Sequence, residues 1–232
     1  MDRKTAVDTL NLSSLRREDI RFDAVLWDMD GTLADSEPLH EKAMRSVLAG
    51  LGITPSDDDF NNVIGTEGPV TFRYFAEKYH LTISYEDYRN QNYRYYCQHS
   101  STILPLFGCE IYLALRKLGV PQAIVSNSDR MLVQATMRAI GIEVPALTVV
   151  TRNDVLLGKP HPEGYLRAAH LLDIQPGRIA VIEDSHVGAQ AGIDAGMTVI
   201  GVPTEENRNR FSPDISLADN TGLLLAYLTG NK

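Results

Sequence analysis

The chain has 232 residues, of which 44% are hydrophobic and 22% are charged, and these values exclude disordered and fibrous proteins. It carries 22 lysines and arginines against 30 aspartates and glutamates, which gives a net charge of −8. This acidity excludes the broad positive surface with which proteins bind nucleic acids or anionic membranes.

The chain begins with an extension, residues 1–21, in which charged residues are spread throughout. A secretory signal would need an apolar core in this segment, so we expect none. The first predicted strand follows at residues 24–27, where four apolar residues occur in a row. Such an uninterrupted run is typical of a parallel strand that is buried on both faces.

The sequence pattern of residues 36–101 predicts helices and no strand. Leu39, Ala43, Val47 and Leu51 recur every four residues, which places them on one helix face. The composition also changes, because seven of the ten tyrosines fall between positions 74 and 96. The interval is much longer than one crossover helix requires, so we interpret it as a helical module inserted into an α/β core.

In the second half of the chain, strand patterns alternate with helix patterns. The predicted strands are residues 123–125, 147–150, 179–182 and 198–202. The predicted helices are residues 107–118, 131–140 and 164–172. This alternation predicts a doubly wound α/β fold, in which helices cover both faces of a Rossmann-like parallel sheet. We expect residues 1–35 and 102–232 to form this core and residues 36–101 to form a helical cap domain.

Residues suited to chemistry follow four of the predicted strands. The first strand leads directly into Asp28 and Asp30, and the others lead to Ser126 with Asn127, to Lys159, and to Glu183 with Asp184. Ligands of open α/β sheets bind beyond the carboxyl ends of the strands, so we expect these side chains to converge. Taken singly, each has an ordinary explanation as a helix cap, a turn residue or a solvated lysine. Four such strand ends in one chain favour a functional site.

The residue types indicate the kind of chemistry. Clustered carboxylates repel one another unless a cation is present, and oxygen ligands without histidine or cysteine favour Mg²⁺ over zinc. A carboxylate beside such an ion can attack phosphorus and form an aspartyl phosphate. Ser126 and Lys159 are suited to binding the phosphoryl oxygens.

From about residue 22 to residue 202, the chain resembles the haloacid dehalogenase-like hydrolases that carry a small helical cap. The resemblance depends on four motifs in order. They are Asp28-Met29-Asp30-Gly31-Thr32-Leu33, Ser126-Asn127, Lys159-Pro160 and Glu183-Asp184-Ser185.

The resemblance implies a role for each motif residue. Asp28 would be the nucleophile, and Asp30 the general acid and then the base. Ser126 would bind phosphate, with Asn127 beside it, and Lys159 would bridge phosphate and nucleophile. Mg²⁺ would be held by Asp28, by the backbone carbonyl of Asp30, and by Asp184 with Glu183 assisting. The presence of Asp30 favours a phosphate ester over a carbon–halogen bond, because an alkoxide leaving group needs a proton.

The resemblance leaves alternatives open. We expect a phosphatase that acts on a small phosphorylated metabolite, perhaps a sugar phosphate. A phosphomutase similar to β-phosphoglucomutase shares the core motifs, and His40 stands where such enzymes have a histidine that acts on the sugar hydroxyl. Glu67 lies in the expected cap loop and is a candidate for sugar binding, but no arginine lies in that loop to hold a second phosphate. A phosphoacceptor signalling domain is disfavoured because such domains are much shorter.

Cys97 and Cys109 are too few for a disulfide framework and lack the spacing of a metal site. We interpret them as free thiols in a reducing compartment. The longest apolar run is far shorter than the ~20 residues of a membrane span. We therefore expect a cytoplasmic monomer or weak homodimer that binds neither nucleic acid nor membrane.

Overall fold

The structure is a computed structural model, and it describes residues 12–63, 66, 68–142, 147–205 and 207–230. Within these ranges lies a six-stranded sheet in which every strand pair is parallel. Its strands are β1 (Ala24–Trp27), β4 (Gln122–Val125), β5 (Thr148–Val150), β6 (Ile179–Glu183), β7 (Thr198–Gly201) and β8 (Ser216–Leu217). The strand order is β5-β4-β1-β6-β7-β8, so the first strand is central.

The five strands predicted from the sequence are all present, to within a residue at either end. Within the six-stranded sheet, only the short edge strand β8 was not expected. It pairs with β7 through two residue pairs, which is too short for an apolar pattern to be visible. The prediction of a doubly wound parallel α/β fold is confirmed.

Alternation of side chains along the strands builds two apolar layers. Val25 and Trp27 of β1 lie in one core cluster, whereas Ala24 and Leu26 lie in the other. The first layer is covered by α5 (Phe107–Lys117), α6 (Arg130–Ala139) and α9 (Thr221–Thr229). The second is covered by α7 (Glu163–Leu172) and α8 (His186–Asp194). All four residues of β1 are buried, as its apolar run predicted.

The predicted insert contains helices and, among the residues described, no strand. It contains α1 (Glu37–Gly50), α2 (Asp57–Asn61), α3 (Gly68–Tyr79) and α4 (Tyr85–His99). These helices share a small apolar core of their own. Its buried members are Val47, Leu48, Phe60, Val63, Phe75 and Tyr88. A core of its own is typical of a separate module, and the division at residues 36 and 101 stays a prediction.

Two connections join the insert to the sheet, and they lie side by side. The outgoing segment β2 (Ala34–Asp35) pairs antiparallel with the returning segment β3 (Leu104–Pro105). The insert is also anchored at α4, where the buried hydroxyls of Tyr96 and Thr136 lie 2.7 Å apart. Tyr96 thereby connects the insert to α6 of the core.

None of the helices in the described part of the chain is long and apolar enough to cross a membrane.

Candidate active site

The carboxyl ends of β1, β4 and β6 meet at one edge of the sheet and bring the predicted residues together. Asp28 follows β1, and its backbone N–H donates to the carbonyl of Ile182 in β6 at 3.0 Å. Ser126 follows β4, and its N–H donates to the carbonyl of Val150 in β5 at 3.0 Å. Register between neighbouring parallel strands therefore determines which side chains face each other at this edge.

Lys159 connects three of the strand ends. Its ammonium donates to Asp28 Oδ1 at 2.5 Å, to Glu183 Oε1 at 2.6 Å, and to the carbonyl of Val125 at 2.8 Å. The side chain is only 6% exposed. Lys159 is therefore a buried ion-pair partner of Asp28 and Glu183 and not a solvated loop lysine.

Glu183 is fully buried and has several partners. Besides Lys159, its carboxylate accepts hydrogen bonds from the Tyr165 hydroxyl at 2.7 Å and from Ser185 N–H and Oγ at 3.2 and 3.0 Å. Glycine is required at position 188, because a Cβ there would lie 1.7 Å from Glu183 Oε1. Ser185 also caps α8 by accepting the N–H of Gly188, so this motif has a structural role as well.

Asp28, Glu183 and Asp184 form an acidic cluster in which one carboxylate oxygen of each lies within 4.8 Å of the others. Burial raises the pKa of Asp28 well above its usual range, Lys159 opposes that rise, and the nearby Glu183 and Asp184 add to it. Burial and Glu183 likewise raise the pKa of Asp184. When all four groups are ionised, these three carboxylates and the Lys159 ammonium together carry a net charge of −2.

This cluster fits a divalent cation. Its donors are carboxylate oxygens, which hard cations such as Mg²⁺ prefer, and a charge of +2 would balance the excess. The backbone at Gly31 passes close to the Asp184 side chain, since a Cβ on Gly31 would lie 2.3 Å from Asp184 Oδ2. Asn207 donates from Nδ2 to the backbone carbonyl of Asp184 at 2.8 Å, and its own Oδ1 is buried without a partner in the described chain.

The carboxylate of Asp30 lies outside the acidic cluster and accepts from hydroxyl groups. Ser36 Oγ donates to its Oδ1 at 2.5 Å, and Ser128 and Ser126 donate to its Oδ2 at 2.8 and 3.3 Å. His40 Nε2 lies 3.4 Å from Oδ1. Two of these partners come from the loop after β4 and two from the start of the insert, so Asp30 stands between core and insert.

The surroundings of Asp30 favour its charged form. Burial by itself would raise its pKa, but hydrogen bonds from His40, Ser36 and Ser128 outweigh that effect and lower the pKa to about 2. Burial would likewise lower the pKa of His40, but the hydrogen bond and charge of Asp30 raise it above its usual value. Each of the two side chains therefore favours the charged form of the other.

Asn127 and Glu67 complete the list of predicted residues. Both polar ends of Asn127 contact the main chain of Lys159: Lys159 N–H donates to Oδ1 at 2.8 Å, and Nδ2 donates to the Lys159 carbonyl at 3.1 Å. The side chain thus orients the lysine loop. Glu67 lies outside the described residues.

Sequence reasoning missed Ser36, Ser128, Tyr165 and Asn207. Ser36 immediately precedes α1, but its hydroxyl makes no capping bond and donates to Asp30 instead. Ser128 follows Ser126 by two residues, the same spacing as Asp28 and Asp30, and this spacing was the available signal. Tyr165 and Asn207 lie in other elements, and no local pattern marks them.

The sequence matches a family model described as haloacid dehalogenase-like hydrolase over residues 25–202. Hexitol phosphatase A from Escherichia coli is 32% identical over 185 residues, which cover 79% of this chain and 84% of the relative. Fructose-1-phosphate phosphatase YqaB from the same organism is 29% identical, and the match covers 78% of this chain and 97% of the relative.

A solved structure supports the fold. The crystal structure of CbbY from Rhodobacter sphaeroides, in complex with phosphate, has a TM-score of 0.81. It is 24% identical in sequence, and the match covers 89% of this chain and 99% of that one. Since the family model spans most of the chain and all four motifs lie within it, the chain belongs to the haloacid dehalogenase-like hydrolase family.

Proposed function

We propose that this chain is a Mg²⁺-dependent phosphomonoester hydrolase that acts on a small phosphorylated metabolite through an aspartyl phosphate. The observation that carries the proposal is the buried ammonium of Lys159 between Asp28 and Glu183, next to Asp184. This arrangement combines a carboxylate nucleophile, a fixed cation and an acidic site for a divalent ion.

In the first step, a carboxylate oxygen of Asp28 forms a bond to phosphorus while the ester bond to the leaving group breaks. Because Asp30 rests in its charged form, it must first take up a proton, which it then gives to the departing alkoxide. In the second step, Asp30 takes a proton from a water that attacks phosphorus, and the bond to Asp28 breaks. Inorganic phosphate leaves, and the Asp28 carboxylate is restored.

Lys159 and Ser126 are assigned to the transferred phosphoryl group. The lysine already contacts Asp28, so its charge lies where negative charge develops on phosphorus and its oxygens. Ser126 Oγ, which accepts the N–H of Ser128 at 3.0 Å, lies on the same side as Asp30. Asn127 holds the lysine loop through the two bonds to its main chain.

We assign the Mg²⁺ ligands to the carboxylates of Asp28 and Asp184 and to the backbone carbonyl of Asp30. Glu183 would assist from behind them. When bound, the ion would offset the charge of the carboxylates and of the phosphoryl oxygens. Glu183 already accepts bonds from Lys159, Tyr165 and Ser185, so its main task is to hold the lysine in place.

For the substrate, we propose a phosphorylated sugar or sugar alcohol. Two relatives of this chain are phosphatases named for hexitol and for fructose 1-phosphate. Those names do not select a substrate for this chain, because they belong to proteins that are only 32% and 29% identical to it. The contact of His40 with Asp30 from the insert supports a role for His40 beside the leaving group.

The test is phosphate release from a panel of hexose, hexitol and pentose phosphates by the purified protein. We expect several equivalents of phosphate per protein with the preferred substrate. Addition of EDTA should abolish release, and excess Mg²⁺ should restore it. Absence of turnover on the panel and on p-nitrophenyl phosphate, with Mg²⁺ present, would overturn the proposal.

A phosphomutase is the second candidate, because His40 approaches Asp30 as a base for a sugar hydroxyl would have to do. The distinguishing assay supplies β-glucose 1-phosphate with a bisphosphate primer. We expect free phosphate or no reaction. Formation of glucose 6-phosphate without phosphate release, lost in His40→Ala, would establish the mutase instead.

A further inference from the structure

The Tyr96 side chain connects a core helix to the surroundings of Asp30. Tyr96 is fully buried, and its ring centre lies 4.5 Å from that of His40. Its hydroxyl lies 2.7 Å from Oγ1 of Thr136, a residue of α6 that is also fully buried. His40 Nε2 in turn lies 3.4 Å from Asp30 Oδ1. Direct contacts therefore lead from α6 through Tyr96 and His40 to the Asp30 carboxylate.

Ser36 is a second neighbour that Tyr96 and Asp30 share. Its hydroxyl is fully buried and donates to Asp30 Oδ1 at 2.5 Å. Burial and the charge of Asp30 raise the pKa of Tyr96, whereas hydrogen bonding with Thr136 and Ser36 opposes that rise. The Tyr96 hydroxyl thus lies near Ser36 and within electrostatic range of Asp30.

The apolar packing of the insert holds these residues against the core. Leu39 of α1 and Tyr96 of α4 are buried in the same cluster as Trp27 of the central strand. Farther along α1 and nearer the start of α4, Val47 and Tyr88 belong to the separate apolar core of the insert. The base of both helices is therefore packed with the sheet, although it belongs to the insert in sequence.

The position of the Asp30 carboxylate decides whether it can serve as a general acid. Its Oδ2 accepts from Ser126 and Ser128 of the core, whereas its Oδ1 faces Ser36 and His40 of the insert. A displacement of about 1 Å can cost a reaction about 10²-fold in rate, because orientation supplies much of catalysis. Whatever fixes the two insert residues therefore acts on proton transfer.

We propose that Tyr96 is a positioning residue for proton transfer by Asp30. Its ring fixes the His40 imidazole, and its hydroxyl, anchored at Thr136, fixes Ser36 at the start of α1. Because Tyr96 is fully buried, it acts through these neighbours and not by touching the substrate. The proposal rests on the proposed function, since it concerns the general-acid step of the same reaction.

The test compares phenyl phosphate with p-nitrophenyl phosphate, which share a ring but differ in how much the leaving group needs a proton. The readout is the ratio of their kcat/KM values, because kcat/KM includes the step in which the leaving group departs. Tyr96→Phe keeps the ring against His40 and removes the bond to Thr136. It should lower kcat/KM for phenyl phosphate by about 3- to 10-fold, the equivalent of one hydrogen bond, and leave p-nitrophenyl phosphate within about twofold.

Tyr96→Leu removes the ring contact with His40 as well. It should lower kcat/KM for phenyl phosphate by about 10- to 100-fold and again affect p-nitrophenyl phosphate less. If this variant fails to fold, the variants that change only a hydroxyl still decide the question.

Variants of Thr136 test the same bond from its other end. Thr136→Val removes the partner hydroxyl and should shift the ratio by the same factor as Tyr96→Phe. The double variant should shift it no further, because both changes remove one interaction. Thr136→Ser keeps the hydroxyl and should keep the wild-type ratio. Tyr95→Phe is the matched control, since Tyr95 is the neighbouring residue and stacks on His99 at 4.1 Å, and it should change neither ester.

Equal losses on the two esters in Tyr96→Phe and Thr136→Val, or no loss in either, would overturn the proposal, as would additive shifts in the double variant. A general disturbance of the fold does not distinguish one leaving group from another, so a purely structural role would leave the ratio unchanged. Failure of the proposed function would look different, since the wild-type protein would then hydrolyse neither ester.

Discussion

Asp59 in the insert and Asp28 at the edge of the sheet are both buried carboxylates, but the protein treats them differently. Asp59 accepts hydrogen bonds from Ser56 N–H and Oγ at 2.8 Å each, from the Tyr74 and Tyr79 hydroxyls at 2.8 and 2.6 Å, and from the Lys78 ammonium. Bonds from Lys78 and Tyr79 outweigh burial and hold the pKa of Asp59 well below its usual range. Its charge is therefore balanced by its own module.

Asp28 is in the opposite situation. It shares a single ammonium with Glu183 and lies within reach of Asp184, so burial and like charges raise its pKa. The difference separates a carboxylate that stabilises the fold from one that is suited to bind and react. A buried acid whose charge the fold leaves unbalanced is the better candidate for function.

The largest expected effect is that of Asp28→Asn. It removes the proposed nucleophile and should lower kcat by about 10⁴- to 10⁶-fold with every substrate. Phosphate release under saturating substrate and Mg²⁺ measures this loss. Retention of more than a few per cent of activity would show that no aspartyl phosphate forms at this residue.

The thermal stability of the same variant also tests whether the charge of Asp28, unlike that of Asp59, is left unbalanced by the fold. Without divalent cations at neutral pH, Asp28→Asn removes one of three clustered negative charges and should raise the thermal midpoint. A fall in the midpoint would mean that the Asp28 carboxylate is balanced in the fold, as Asp59 is.

Asp30→Asn should have the next largest effect. It removes leaving-group protonation, which is typically worth about 10²- to 10⁴-fold, but leaves the acidic cluster intact. We expect the loss with alkyl phosphates to exceed the loss with p-nitrophenyl phosphate, whose leaving group needs no proton. Equal losses on the two esters, or weaker binding of Mg²⁺ measured by calorimetry, would argue against a general-acid role.

Asp59→Asn should act on stability and not on chemistry. It leaves the partners of Asp59 without a charged acceptor and should lower the free energy of unfolding by about 1–3 kcal/mol. Because the pKa of Asp59 is lowered in the folded state, this contribution is fully present above the unfolded value of ~3.9. It is lost as the pH falls through the lower folded value.

The measurement is denaturant unfolding of the wild-type and Asp59→Asn proteins between neutral and acid pH. The difference between the two should shrink below pH ~4. Asp58→Asn is the matched control, since Asp58 is the exposed neighbour in the same helix, and it should change stability little. A difference that does not depend on pH would mean that the Asp59 charge contributes nothing.

The smallest effect is expected for Asn207→Ala. Asn207 holds the backbone carbonyl of Asp184, so its loss should weaken Mg²⁺ binding by about 10-fold while the fold is kept. Calorimetric titration with Mg²⁺ at constant ionic strength measures this change. Asn209→Ala, at an exposed position two residues on, is the control. Equal affinities of the two variants would remove Asn207 from the metal site.

The sequence by itself determined the layers of the fold and the edge where the site lies. Four consecutive apolar residues ending at Trp27 can be buried on both sides only in the middle of a sheet, and β1 is central. Parallel strands then force Asp28, Ser126 and Glu183 to the same edge. These conclusions follow from local periodicity and strand direction, which a sequence records directly.

Only the tertiary structure decided which charged and polar side chains contact one another. Lys159 reaches Asp28 across 131 positions, and Ser128 reaches Asp30 across 98. Asn207 joins Asp184 from a loop beyond the next strand. The electrostatics of a buried group depend on all neighbours within a few ångströms, whichever part of the chain supplies them. Periodicity cannot specify such neighbours, because it describes one element at a time, whereas packing brings several elements together.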